Sequence, residues 1–170
     1  MARALSRAVL LLMAPCWVYA AGFGGDAAKK VAALGVEIEV VVIKASGRGL
    51  KPDFDGRISA ELRKKLAGCH LAYGKYALVD VQHKSARYKR KVICILPGKE
   101  ALAIICTPHT SRTHPVRVAT QVIDGAGKII QRAQVLLPYN KAFLIHRPKG
   151  ASAVIMGITA YKHPSKMPGR

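Results

Sequence analysis

From Tyr76 to Tyr161 the chain repeats short runs rich in Val and Ile, separated by turns of a few residues. A parallel strand pair needs a connection of a dozen or more residues, so neighbours joined this closely must pair antiparallel. The runs are Tyr76–Val81, Lys91–Leu96, Ala101–Cys106, Val116–Ile123, Lys128–Leu137, Ala142–His146 and Ala153–Tyr161. Pro97-Gly98 predicts a type II turn, Asp124-Gly125-Ala126-Gly127 closes a second hairpin, and Pro148-Lys149-Gly150 marks a further turn.

An eighth strand comes first. In Val36–Ala45 apolar and acidic residues alternate and then give way to a continuous apolar run, as in a strand entering a buried sheet. Between it and the others, Ile58, Leu62 and Leu66 recur at i, i+4 and i+8 and predict one helix over about residues 55–67. Asp53 or Asp55 would cap it, Arg63, Lys64 and Lys65 would complement its C-terminal dipole, and Gly68 would end it. The fold class expected is α+β: a mostly antiparallel sheet or sandwich of about seven to eight strands with one packed helix.

The first 20 residues have the form of a secretory leader. Arg3 and Arg7 are the positive segment, Ala8–Met13 the apolar segment, and Val18-Tyr19-Ala20 the small-x-small cleavage site. The apolar stretch falls short of the roughly 20 residues of a bilayer span. Cys16 follows Pro15, which fits a lipid-attachment box poorly. The expected organisation is a signal peptide (1–20), a glycine-containing lead-in (21–33), a single β-rich domain (34–161) and a basic tail (162–170). The expected location is periplasmic or extracellular, after cleavage near Ala20/Ala21.

Charge narrows the partners. The whole chain holds 28 Lys+Arg against 9 Asp+Glu; the leader takes two of the basic residues, leaving 26 against 9, a net +17. A folded domain so charged favours anionic partners. The densest cluster is His83–Lys91, where Lys84, Arg87, Lys89, Arg90 and Lys91 surround Tyr88 at an expected strand-to-strand junction. Arg48, Arg112, Arg147 and Lys149 lie in other basic turns and complete the candidate anion-binding set. The expected partners are an anionic envelope polymer, an anionic lipid surface or an acidic protein; nucleic acid would be bound without sequence readout, since no recognition helix is evident and aromatic residues are few.

Three cysteines follow the leader: Cys69, Cys94 and Cys106. The reading expected for Cys94 and Cys106 is buried free thiols acting as small hydrophobes; export permits a Cys94–Cys106 bridge across one hairpin as the alternative. Cys106, His109 and His114 have the residue types of a zinc site at only approximate spacing. Ser46, Ser85 and Ser152 lie outside any nucleophile elbow, and Gly47-Arg48-Gly49 lacks the Lys-Ser/Thr of a phosphate loop. The expectation is a non-catalytic binding or scaffold protein without a cofactor. The alternatives are a subunit of a cell-envelope or extracellular assembly joined through β edges or apolar contacts, and a metal-dependent hydrolase.

A set of local features also carries a resemblance: Ala45-Ser46 closing the first strand, Asp53-Phe54-Asp55-Gly56-Arg57-Ile58 before the helix, Tyr73-Gly74-Lys75-Tyr76, and Leu96-Pro97-Gly98. Together with the leader and a glycine in the final strand, these features resemble a group of small exported bacterial proteins of unknown function. The resemblance implies a compact β-rich envelope or secreted domain, and no activity or site residues.

Overall fold

The first strand, β1 (Gly35–Arg48), shows how the chain builds its core. Val36, Ile38, Val40 and Val42 point to one face and are fully buried, while Ile43 and Ala45 are fully buried on the other. Two separate layers therefore cover this strand. The acidic alternation at Glu37 and Glu39 falls where the second face is only partly covered, and the continuous apolar run falls where both faces are.

The computed structural model describes residues 35–49 and 51–162. The leader, the lead-in, Cys16, Leu50, and the tail from residue 163 lie outside them. The described residues form nine strands and one short helix, an α+β protein with a sandwich-like arrangement of two sheets. Besides β1, the elements are β2 (Asp53–Phe54), α1 (Ala60–Gly68), β3 (Tyr73–Arg87), β4 (Lys91–Leu96), β5 (Glu100–Pro108), β6 (Val116–Ile123), β7 (Ile129–Leu137), β8 (Ala142–Lys149) and β9 (Ser152–Lys162). One sheet has the order β2-β3-β1-β9-β8 and the other β4-β5-β6-β7. All pairings are antiparallel except the two-residue β2, which runs parallel to β3. β2 is the strand beyond the expected eight, too short to leave a periodic signal.

The main core lies between the sheets. Val36, Ile38, Val40 and Val42 of β1 and Met156, Ile158 and Ala160 of β9 meet Leu102, Ile104 and Cys106 of β5 and Val116, Val118 and Val122 of β6. Helix α1 covers the opposite face of the five-stranded sheet. Ile58, Leu62 and Leu66 pack there against Ile43, Ala45, Tyr76, Ala153 and Ile155. A nine-residue helix is marginal alone, and burial of these side chains, about 1.5–3 kcal/mol each, holds it in place. Gly157 of β9 permits the close approach, since a Cβ there would stand 3.3 Å from Leu62 Cδ1.

Two expectations change. The helix cap is Ser59, whose hydroxyl accepts from the Leu62 amide at 3.3 Å. Asp53 belongs to β2, and Asp55 accepts from the Arg57 amide and guanidinium and from the Leu78 amide. Those bonds, the Arg57 side chain foremost, hold the Asp55 carboxyl well below the usual carboxylate range.

Strand β3 also extends to Arg87, well past the expected end at Val81. Val42 pairs with Asp80 but Ile43 with Leu78, so Val79 is an inserted residue. The bulge leaves Tyr76 and Leu78 on the helix side and turns Gln82, Lys84 and Ala86 toward the other sheet, opposite Val40, Ile38 and Val36. Only Ala86 of this stretch is buried; the rest is polar because the strand runs at the rim of the sandwich.

Replacing Ser59 by Ala should lower stability by about 1 kcal/mol in urea unfolding, while Asp53→Ala should change it by only a few tenths. Equal effects would return the cap to Asp53.

Candidate anion-binding ends of the sandwich

The topology sorts the candidate basic residues into two groups. β3 ends at Arg87, and residues 88–90 cross from one sheet to the other before β4 begins at Lys91. Beside that crossing, the Lys89 amide donates to the Cys106 carbonyl at 2.8 Å, near the C-terminus of β5. The loop 109–115 leaves from the same end, because Lys91 pairs with Ile105 and Pro108 with Val116. Arg87, Lys89, Arg90, Lys91 and Arg112 therefore share one end of the sandwich. All five are exposed, and none forms an ion pair among the described residues. Lys84 lies short of that end, on the rim of β3 facing the other sheet.

Local structure sets their directions. Lys89 adopts φ 64, a left-handed turn conformation, and the Arg90 amide donates to the Arg87 carbonyl at 3.1 Å. The turn thus projects its cations outward on a hydrogen-bonded frame. Loop 109–115 is braced in the same manner. His109 Nδ1 accepts from the Ser111 amide at 3.2 Å, the Ser111 and Thr113 hydroxyls lie 3.0 Å apart, and Thr113 is 2.9 Å from His114 Nδ1.

Tyr88 departs from its expected role as an exposed aromatic within the basic patch. It is half-buried against the main core, and its hydroxyl lies 3.2 Å from that of Tyr139. Burial, then the Tyr139 hydroxyl, raises its pKa far above the usual phenol value. Tyr88 anchors the basic turn from below.

At the opposite end, Arg147 and Lys149 of β8 both reach Glu100 at the start of β5. Lys149 Nζ stands 2.8 Å from Glu100 Oε1, and Arg147 Nη1 pairs with Oε2. The Glu100 side chain is 10% exposed. This three-residue clamp joins the two sheets, so Arg147 and Lys149 are structural cations rather than members of an open anion site. Arg48 lies at the same end as this clamp but outside it, exposed at the C-terminus of β1.

Register decides between the two cysteine readings in favour of buried free thiols. Cys94 pairs with Leu102, so Cys106 lies four residues further along β5, roughly 13 Å away. A disulfide needs Cα atoms within about 7 Å, and both thiols are free and fully buried. Burial pushes the Cys106 thiol up to about 12 and also raises Cys94. The Cys106/His109/His114 candidate is likewise dispersed: Cys106 points into the core while both imidazoles brace an outer loop. Among the described residues no group of three or more His, Cys, Asp or Glu is placed to hold a metal ion.

One pair escaped sequence reasoning. Tyr73 of β3 and His146 of β8, 73 residues apart, meet with Tyr73 Oη 3.2 Å from His146 Nε2. His146 has no local motif around it, and the Tyr73-Gly74-Lys75-Tyr76 strand entry carries no signal that pairs it with His146.

The fold is that of a two-sheet α+β protein, sandwich-like, with one helix on its outer face. No protein-family model, curated protein or solved structure matches the chain. No helix among the described residues is long and apolar enough to cross a membrane.

Glu100→Gln should lower stability by about 1–3 kcal/mol, because two partly buried cations lose their counter-charge; denaturant titration reads the change. In the native protein a maleimide should label exposed Cys69, and Cys94 and Cys106 only after unfolding. Since burial raises the Cys106 pKa from 9.0, its ionisation favours the unfolded chain. Stability should therefore fall as pH rises above about 9, and Cys106→Ala should weaken that fall.

Proposed function

We propose that this is a non-catalytic exported protein that binds a phosphate- or carboxylate-bearing polymer of the cell envelope through one basic end of its sandwich. The observation that carries this reading is the grouping of Arg87, Lys89, Arg90, Lys91 and Arg112 at that end, exposed and without ion pairs among the described residues. Arg147 and Lys149 are the contrast, since their charge is answered within the molecule by Glu100. The leader-like first 20 residues support an exported location, and an exported protein meets surface polymers before cytoplasmic nucleic acid.

The chemistry follows from the arrangement. Cations at exposed turns release counterions when they contact an anionic chain, and binding then weakens steeply with salt. The frame beneath them is closed by backbone hydrogen bonds and by Tyr88, so the charges sit close together without a folding cost at the moment of binding. No helix or aromatic platform stands among these cations to read a sequence, which suits a repetitive polymer.

A second reading has its own observation. β4 is an edge strand with Ile93 and Ile95 exposed at 45% and 67%. An apolar edge of this kind suits a subunit that adds to a neighbouring strand in a larger assembly.

The two readings separate by experiment. The variant K89Q/R90Q/R112Q should elute from heparin at lower salt than the native protein, with the slope of log affinity against log salt reduced by about two to three. The exposed control K44Q/K51Q/K75Q should change the slope less; an equal loss would mean that only the total charge matters. Polyphosphate, phosphatidylglycerol vesicles and polyglutamate, run in parallel, distinguish polymer from lipid surface and acidic protein. Concentration-dependent association that Ile95→Lys abolishes, with heparin retention unchanged in the triple variant, would favour the subunit reading.

A further inference from the structure

A cleft of about 640 Å³ opens on the helix side of the five-stranded sheet, at the end away from the basic turn. Its size is that of a small-molecule site. Arg48 lies at one wall, paired in register with Tyr73, and His70, Tyr73 and His146 supply the other polar groups. Leu71 and Ala151 add apolar surface, and no carboxylate lines it among the described residues.

Two half-buried rings, inclined by 56° to each other, line the cleft. The Tyr73 and His146 rings are 5.8 Å apart between centroids and joined by the hydroxyl-to-imidazole contact of 3.2 Å. Tyr73 also meets Tyr76 edge-on at 6.4 Å, and the buried Tyr76 stacks on Phe54 at 4.8 Å. The Tyr76 hydroxyl donates to the Leu71 carbonyl at 3.2 Å, tying the wall of the cleft to the same cluster. These contacts hold Tyr73 in place before any ligand arrives. The rim is shaped by two turns, with Gly47 at φ 67 and Gly150 at φ 61.

We propose that this cleft binds a small planar anion, an aryl phosphate or aryl carboxylate, with its charged head at Arg48 and His70 and its ring against Tyr73 and His146. A guanidinium matches either head in two-pronged geometry. Among the described residues no lining carboxylate opposes that positive charge within the cleft. A flat ring can lie against the half-buried Tyr73 ring and meet His146, tilted 56° to it, at its edge, contacts that a bare inorganic anion would not make. The site is separate from the polymer-binding end and does not depend on it.

Amide chemical shifts of the full chain after leader removal, titrated with phenyl phosphate, benzoate and inorganic phosphate, test the proposal. Phenyl phosphate or benzoate should produce saturable shifts at Gly47, Ala72 and Ala151, and the stronger of the two identifies the head group. Arg48→Gln should weaken that binding about tenfold. His146→Leu should weaken it about fivefold, with Tyr73→Leu as a second route to the same loss if that variant is unstable. K89Q/R90Q/R112Q should bind as the native protein does. The proposal is overturned by an absence of saturable shifts at millimolar ligand, by shifts centred on residues 88–91, by unchanged affinity in Arg48→Gln, or by inorganic phosphate binding as tightly as both aryl ligands.

Discussion

Burial of β1 on both faces is the constraint on which the molecule depends. Val36 to Val42 demand one apolar layer and Ile43 to Ala45 demand another on the opposite side, so a single sheet is insufficient. The four-stranded sheet answers the first demand and α1 answers the second. Removing either layer would expose fully buried side chains of the strand that pairs with both β3 and β9.

That layering also decides what each charged residue is for. Turns at the two ends of a sandwich are where a strand-rich chain keeps most of its freely solvated groups, and this chain uses its ends differently. At one end the cations of the 88–91 turn and Arg112 face outward above a tyrosine pair. At the other, Glu100 is drawn between two cations of β8, and the nearby end of β1 opens into a cleft lined by two aromatic rings. A large net charge is thus a poor guide to a site until the internal ion pairs are known.

Much of the architecture was legible. Eight of the nine described strands and the helix announce themselves. The helix and the half-buried strands do so through periods of four and of two, and strands such as β1 and β9 that are buried on both faces through continuous apolar runs. The errors have definite physical sources. Residues 82–87 hide their strand character because at the rim only Ala86 is buried and the rest of the stretch is polar. β2 is too short for any period. Ser59 outcompetes Asp53 and Asp55 as a cap because the first carboxylate lies in β2 and the second is engaged by Arg57 and Leu78. The alternative of a Cys94–Cys106 bridge is excluded because two cysteines on adjacent strands need the right register as well as adjacency.

Sequence alone determined the α+β class, the antiparallel order of the later strands, the apolar faces and the basic turn, since all of these follow from local spacing and composition. Tertiary structure decided which cations remain open, where Arg48 stands, that the thiols are free, and that Tyr73 meets His146. Those outcomes rest on contacts between residues distant in the chain. Such contacts depend on sheet order and register, which local pattern leaves undetermined.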